Sequence, residues 1–394
     1  MGALMPLEEA QKRVIHLAQR LPPETLPIAK ATGRYLAEDL PAKRSQPAGD
    51  MSAMDGYAIC FEDREGPWTR VGECKAGSPP CPPLKPGETA RIFTGALLPE
   101  GADTVVMQEN VNAEGETVHL MTEASPVKGR HVRHKGGDFD VGDIVLTTGT
   151  CLDARALGQA VIAGHGELPV FSLPKIAILS TGDELVEPGQ KTALHQIPAS
   201  NDVMISAMLS AFPAEARNIS RIADNMDMLC NALDSARDCD IIVTIGGASV
   251  GDHDLVGPAF EKLGGNIDFW KIAMKPGKPL MAGKLGDSIV LALPGNPGSA
   301  FVTATLFLLP LIRFCAGATD YMPRQQQAFT TTSLPATTRR AQFLRAKVDA
   351  SGITAYDSQD SAKLSVLTAA NALLCRPAHS PEQKAGTSVP YITI

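Results

Sequence analysis

The sequence predicts a multidomain α/β protein whose central piece is an open parallel sheet flanked by helices. Three observations carry that expectation. From Lys175 onward, apolar runs at 176–180, 217–222, 240–245 and 288–293 alternate with helix-like segments at 202–211, 227–237, 255–263 and 297–309. That order builds parallel sheets with helices on both faces. The runs, Ile241-Ile242-Val243-Thr244-Ile245 above all, are continuously apolar or β-branched, as strands buried on both faces are. Glycine- and proline-rich loops follow them, and in such sheets ligands sit beyond the carboxyl ends of the strands. At 394 residues the chain also exceeds one ordinary domain.

Taken in order, residues 5–20 carry Pro6 near the start, Glu8 and Glu9 early, and apolar residues at Leu7, Ala10, Val14, Leu17 and Ala18. That spacing predicts a helix, ended by Pro22-Pro23. A second helix-like piece covers 31–38. From about 42 to 140 the composition shifts to Gly, Pro, Thr and Val, with strands expected at 90–94, 104–107 and 117–120. This reads as an inserted β-rich domain. Residues 140–172 return to a mixed pattern, with a helix over 153–163 and a short strand at 168–170, and pair with the N-terminal part as one discontinuous domain. After Cys315 the helical pattern stops. Strands at 342–348, 352–356 and 389–394 make a small C-terminal β domain.

Composition narrows the function. The net charge of −7 is spread along the chain, and aromatic residues are only 5%. Neither suits nucleic-acid binding by bulk charge or base stacking. The eight cysteines include no C-x-x-C pair, so reduced, mostly buried thiols are expected. The most apolar run, 300–312, is too short to span a bilayer and contains Pro310. With no secretory pattern at the start, the expected location is the cytoplasm.

Four loops carry the chemistry. Gly246-Gly247-Ala248-Ser249-Val250-Gly251-Asp252-His253-Asp254 leaves a buried strand through glycines, which let backbone N–H groups approach an anion. Lys275-Pro276-Gly277-Lys278-Pro279 holds two cations in a loop stiffened by prolines, so that both ammonium groups can be preplaced around one anion. Pro294-Gly295-Asn296-Pro297 offers an N-cap and a proline at the first helical position, which either leave a helix N-terminus open to an anion or simply cap it. Ser180-Thr181-Gly182-Asp183-Glu184 supplies paired carboxylates, which either bind Mg²⁺ beside a phosphate or cap a helix. Together they describe Mg²⁺ and phosphate chemistry at one sheet edge. A P-loop, a dinucleotide fingerprint and a nucleophile elbow are all missing.

These motifs, with Ser52-Ala53-Met54-Asp55-Gly56-Tyr57-Ala58, the run 94–109 and Lys135-Gly136-Gly137-Asp138-Phe139, resemble the molybdopterin molybdenumtransferase (MoeA and gephyrin E-domain) family in their order. The resemblance implies an elongated discontinuous domain (1–41 and 140–173), an inserted β-rich domain (42–139), a molybdopterin-binding α/β domain (174–320) and a C-terminal β barrel (321–394). It implies insertion of molybdate into adenylylated molybdopterin with Mg²⁺-dependent release of AMP. Asp55, Thr94, Asp138, Glu184, Asp224, Asp254, Lys271 and Lys275 match catalytic positions, with Glu184 and Asp254 on the metal. Thr181, Gly182, Asp183, Gly246, Gly247, Ser249, Gly251, Lys278, Pro294, Asn296 and Pro297 match substrate-binding positions. Lys275, Lys278, Pro279, Ser299, Arg345 and Ser361 match the molybdate pocket. Asp360 departs from a glycine usual there and adds negative charge beside that pocket. The implied partners are a molybdopterin adenylyltransferase, molybdoenzyme chaperones and a second copy of the chain in a homodimer with shared sites; no nucleic acid or membrane partner is expected.

Two rival readings remain. One is adenylylation of molybdopterin by a relative of the α/β domain, but such proteins are about one domain long, whereas here long segments precede and follow it. The other is a non-catalytic molybdopterin scaffold or carrier. The carboxylates Asp55, Asp138, Glu184 and Asp254 disfavour it, because a mere anion binder gains from fewer negative charges.

Overall fold

Alternation along the buried strands decides where the core sits. The computed structural model describes residues 4–247 and 255–394. Its central sheet contains β1 (Lys175–Thr181), β2 (Glu215–Ile222), β3 (Ile241–Ile245), β4 (Asn266–Phe269), β6 (Met281–Leu285) and β7 (Ser288–Leu293), with the two-residue β5 (Met274–Lys275) belonging to another sheet. The order is β2-β1-β3-β7-β6-β4, and the first four run parallel, as expected. Beyond β7 the sheet continues through an antiparallel hairpin to β6 and then to β4. The sequence pattern did not mark those two strands. Ile176, Ile178, Ile241, Val243, Ile289 and Leu291 point to one face, and Ala177, Leu179, Ile242, Val290 and Ala292 to the other. Period-two alternation between two cores is why these strands read as continuously apolar.

Each face is covered by helices. Helix α1 (Leu7–Leu17) buries Leu7, Ala10 and Val14 in the first core, joined by α3 (Asn201–Leu209). The N-terminal helix therefore packs on the α/β sheet. The discontinuous domain expected to hold it is built instead from later residues: Ala31, Leu36 and Leu40 pack with Leu152, Ala156 and Ala160 of α2 (Ala154–Ile162) and its flank. Asp153 caps α2, accepting from the N–H groups of Arg155 and Ala156. Helices α4 (Met226–Ser235) and α5 (Val256–Lys262) cover the second face, burying Leu229, Leu233, Ala259 and Phe260. Helix α6 (Pro297–Thr303) opens a continuous helical stretch, Pro297–Cys315, in which one turn, Ala304–Leu308, is π-helical. This stretch is long and apolar enough to cross a membrane, yet 78% of it is buried within the protein, which makes it core.

The helix expected over 31–38 does not form. Gly33 takes a left-handed conformation (φ +76°), and Tyr35 and Leu36 pair as bridges with Cys151 and Val170. Tertiary pairing overrides the local helical spacing there. In the inserted region a six-stranded sheet is built around Gly56–Ile59, Trp68–Cys74 and Glu88–Ile92. Cys74 and Cys81 are joined as a disulfide there, against the expectation of reduced thiols. Cys230, Cys239, Cys315 and Cys375 are buried and free.

The C-terminal sheet has the order β5-β9-β11-β12-β8, with β8 (Gln326–Phe329), β9 (Ala341–Asp349), β11 (Ala372–Arg376) and β12 (Ser388–Thr393). Strand β10 (Gly352–Ala355) pairs with β9 on its free side, and a bridge from Thr330 to Ile353 brings the two ends of the sheet together. The sheet thus curls around Leu334, Ala346, Leu374 and Val389.

Candidate functional site

The loops after β1, β3 and β7 converge on one cleft of about 500 Å³, walled by Ser180, Thr181, Glu184, Asn201, Asp202, Gly246, Gly295, Asn296 and Pro297. Close backbone approach makes it possible. Gly246 (φ +93°) and Gly247 (φ +59°) sit where only glycine is unstrained. A Cβ on Gly246 would lie 2.6 Å from the carbonyl oxygen of Thr181, and one on Gly247 2.7 Å from Val256. Asn201 ties α3 to the β7 loop by donating from Nδ2 to the Gly295 carbonyl at 2.6 Å.

Around the cleft, three polar atoms are buried without a partner among the described residues: Ser180 Oγ, Thr181 Oγ1 and Asn201 Oδ1. A buried unpaired hydroxyl or amide is costly, so three of them on one cleft mark a surface prepared for a polar ligand. Asp183 is used differently. Its carboxylate accepts from the Asp224 N–H at 3.0 Å and holds the loops after β1 and β2 together. No helix follows this loop, since residues 185–186 pair with 197–198, so Glu184 is not a helix-capping acid. Gly182 is half-buried, and Pro294 is buried at the end of β7.

Helix α6 begins as predicted, with Asn296 at the N-cap position and Pro297 in its first turn, though the Asn296 side chain makes no capping bond. Its N-terminus is not left open. The Gly298 N–H donates to the Ser361 carbonyl at 2.8 Å, and a Cβ on Gly298 would meet that oxygen at 2.9 Å. The segment 359–361 therefore bridges two domains. At its other end Gln359 clamps the backbone of Arg345, accepting from its N–H at 2.9 Å and donating to its carbonyl at 3.0 Å. Arg345 is 1% exposed, and its Nη2 has no partner among the described residues. Burial lowers the affinity of this guanidinium for its proton, and the charge of Asp360 partly restores it. The departure noted at Asp360 thus supplies a counter-charge to Arg345. Ser299, in the first turn of α6, is also buried.

Of the residues expected to form one molybdate pocket, Lys275 and Arg345 share a cavity and Lys278 lines another. Phe343 and Leu373, the residue opposite Arg345, belong to the core shared with the α/β sheet, whereas Leu344 packs inside the C-terminal sheet. Arg345, two residues on from Phe343, leaves β9 on the α/β side. Lys275 lines a cavity of about 310 Å³ whose wall it shares with Arg345, Gln342, Gln359 and Arg376. Lys278 lines a third cleft with Arg339, Arg340 and His379. Thus Lys275 and Lys278 line different clefts; Gly277 (φ +97°) turns the chain between them. Pro279 is half-buried after that turn, and Lys271 spends its carbonyl on the Met5 N–H and lines none of these three clefts.

In the β-rich domain Asp55 and Thr94 meet. Asp55 Oδ1 accepts from the Thr94 N–H at 2.8 Å and from its hydroxyl at 2.9 Å. These bonds hold the Asp55 carboxyl below its usual pKa. Asp138 is exposed, its N–H bound to the Gln46 carbonyl. None of the three lines the cleft of its own chain. Ser249, Gly251 and Asp254 lie outside the described residues. Sequence reasoning missed Ser180 and Asn201 as site residues; Ser180 ends a predicted strand beside Thr181, which was the available signal. It also missed Arg376, for which no local pattern existed.

Residues 5–164 match the MoeA N-terminal region (domain I and II), 177–313 a probable molybdopterin binding domain, and 327–394 the MoeA C-terminal region (domain IV). The chain is 33% identical over 398 residues to Molybdopterin molybdenumtransferase 2 of Mycobacterium tuberculosis, covering 97% of this chain and 98% of that protein. It is 34% identical over 350 residues to the Molybdopterin molybdenumtransferase of Haemophilus influenzae, covering 87% and 85%. Among solved structures, the molybdopterin biosynthesis moeA protein of Pyrococcus horikoshii superimposes with a TM-score of 0.86 at 27% identity, with 100% of both chains covered.

Proposed function

Since the chain belongs to the molybdopterin molybdenumtransferase (MoeA) family, a transferase family of molybdenum cofactor biosynthesis, we propose that it inserts molybdate into adenylylated molybdopterin and releases AMP in a Mg²⁺-dependent step. The observation that carries this reading is the cleft at the carboxyl ends of β1, β3 and β7, with Ser180, Thr181 and Asn201 on its wall, each holding a buried polar atom unpaired among the described residues. Such atoms suit the polar edge of a pterin, and the close glycine backbone excludes side chains from the space it needs.

The donor set also suits magnesium. Glu184 and Asp202 supply carboxylates to the cleft wall, and neither imidazole nor thiolate is among its described lining residues. Glu184 would hold the ion together with Asp254. When bound, Mg²⁺ offsets phosphate charge as the AMP leaves. Lys275, which shares the wall of one cavity with Arg345, supplies a cation for the oxyanion. Arg345, Ser299 and Ser361 receive the tetrahedral oxyanion at the start of α6, where the unpartnered Arg345 Nη2 suits a charge-assisted bond. Asp55, Thr94 and Asp138 serve the cleft of a second copy in a two-fold dimer, which fits their absence from the cleft walls of their own chain. The direct test is incubation of the protein with adenylylated molybdopterin, molybdate and Mg²⁺, followed by chromatographic detection of AMP. AMP release that depends on all three supports the reading, and a folded protein that releases none overturns it.

A further inference from the structure

Strand β10 pairs with β9 only between Ala346 and Asp349, with Ala355 opposite Ala346. One residue earlier that ladder has ended, so the N–H and C=O of Arg345 on this edge need other partners. The Tyr356 N–H donates to the Arg345 carbonyl at 3.0 Å. The Gln359 side chain supplies the rest. Its Oε1 accepts from the Arg345 N–H at 2.9 Å, and its Nε2 donates to the Arg345 carbonyl at 3.0 Å. A side-chain amide thus stands in for the peptide group of a missing strand.

That amide has no donor left over. A glutamine nitrogen carries two hydrogens, and the second bond of Nε2 goes to the Tyr356 carbonyl at 2.8 Å. Gln359 shares the wall of the 310 Å³ cavity with Arg345, yet both of its N–H groups are spent on backbone and its oxygen would repel an anion. The Arg345 guanidinium is the opposite case. It is buried, and its Nη2 has no partner among the described residues, so its direction follows from the backbone it leaves. Gln359 is itself held in place: two residues on, the Ser361 carbonyl accepts from the Gly298 N–H of α6 at 2.8 Å.

We propose that Gln359 is a positioning residue of the oxyanion pocket, whose amide fixes the backbone of Arg345 and so aims the guanidinium without touching the anion. This deepens the proposed reaction and rests on Arg345 as its oxyanion residue. A guanidinium donates through a rigid planar fork, so its bond to an oxyanion depends on direction as well as on charge. Releasing the Arg345 backbone costs that bond. The pterin cleft, walled mainly by the loops after β1, β3 and β7, keeps its own geometry.

The test uses the full-length protein and two readouts. Gln359→Met, which keeps the length and loses the amide, should raise the molybdate concentration for half-maximal AMP release by roughly tenfold or more. The pterin concentration for half-maximal release should hold within about twofold. Equilibrium dialysis against molybdate, with no pterin present, should show the same loss of affinity. In an Arg345→Ala background, Gln359→Met should change molybdate binding by no more than about twofold, because its effect passes through the missing guanidinium. Gln359→Asn, whose amide falls one carbon short of the clamp, replaces Gln359→Met throughout if the latter does not fold. Tungstate-soaked crystals of the unaltered protein should show anomalous density within hydrogen-bond reach of the Arg345 guanidinium and beyond reach of the Gln359 amide.

Molybdate binding that falls with Arg345→Ala but not with Gln359→Met overturns the positioning role alone. So does further weakening by Gln359→Met in the Arg345→Ala background, or density touching the Gln359 amide. An unaltered protein that binds no molybdate, or binds it regardless of Arg345→Ala, overturns both this inference and the oxyanion site it rests on. Dialysis needs no turnover, so a protein that releases no AMP fails the proposed reaction while the role of Gln359 is still decided.

Discussion

Gly246 and Thr181 sit so close that a Cβ on the glycine would lie 2.6 Å from the threonine carbonyl oxygen. Two neighbouring strands end at this contact, and it holds the floor of the cleft open to a ligand. Gly246→Ala must both accept a φ of +93° and push that carbonyl away. A strained backbone of this kind costs on the order of 1–3 kcal/mol. The variant should unfold at lower urea concentration and bind molybdopterin much more weakly. Unchanged pterin affinity in a folded Gly246→Ala protein would remove the cleft from the substrate's path.

Arg345 offers a buried guanidinium with a free Nη2 beside the bridge from Gln359 to Ser361. Arg345→Ala should raise the molybdate concentration needed for half-maximal insertion by roughly tenfold or more, the value of a charge-assisted hydrogen bond. Pterin affinity should change little. Steady-state AMP release at varied molybdate checks this, and an unaltered molybdate dependence moves the oxyanion elsewhere.

The Asp55 carboxylate, tied to Thr94, serves a partner's cleft in the proposed dimer. Asp55→Asn and Asp254→Asn should then each be inactive as homodimers. In an equal mixture with free exchange, about half of the dimers are mixed, and in each of those one site carries both changes and the other none. About a quarter of all sites should regain AMP release. A verified mixed dimer with no activity shows that these acids work within one subunit.

The same pair predicts a pH effect. Hydrogen bonds from Thr94 lower the folded-state pKa of Asp55 below that of the unfolded chain. Their contribution to stability is complete above the unfolded value, about 3.9, and is lost as the pH falls through the lower folded value. The melting temperature of the protein should exceed that of Asp55→Asn at about pH 6 and converge with it in acid. A constant difference across that range would show that Thr94 does not stabilise the ionised form.

Much of the α/β domain was legible because its signals are local. The run 288–293 is a strand over its whole predicted length, and Pro297 marks the start of α6, since proline suits a first helical turn wherever the chain then goes. The glycines of Gly246-Gly247 announced a left-handed turn, because a missing Cβ is a backbone statement. By contrast 31–38 has helical spacing and forms bridges, and 281–285 carried too short a pattern to stand out from a loop. Whether such segments become helix or strand is decided by the partners they find.

Residues and their order therefore determined the alternating architecture, the glycine turns at the strand ends and the polar and charged groups that any ligand must meet. Tertiary structure alone decided which of these groups share a space. Lys275 and Lys278 are three residues apart and line different clefts, whereas Lys275 and Arg376, a hundred residues apart in order of magnitude, face the same one through Gln342. The reason is the pleat: each step along a strand reverses the side chain, and only the register with neighbouring strands says which distant residue stands beside it.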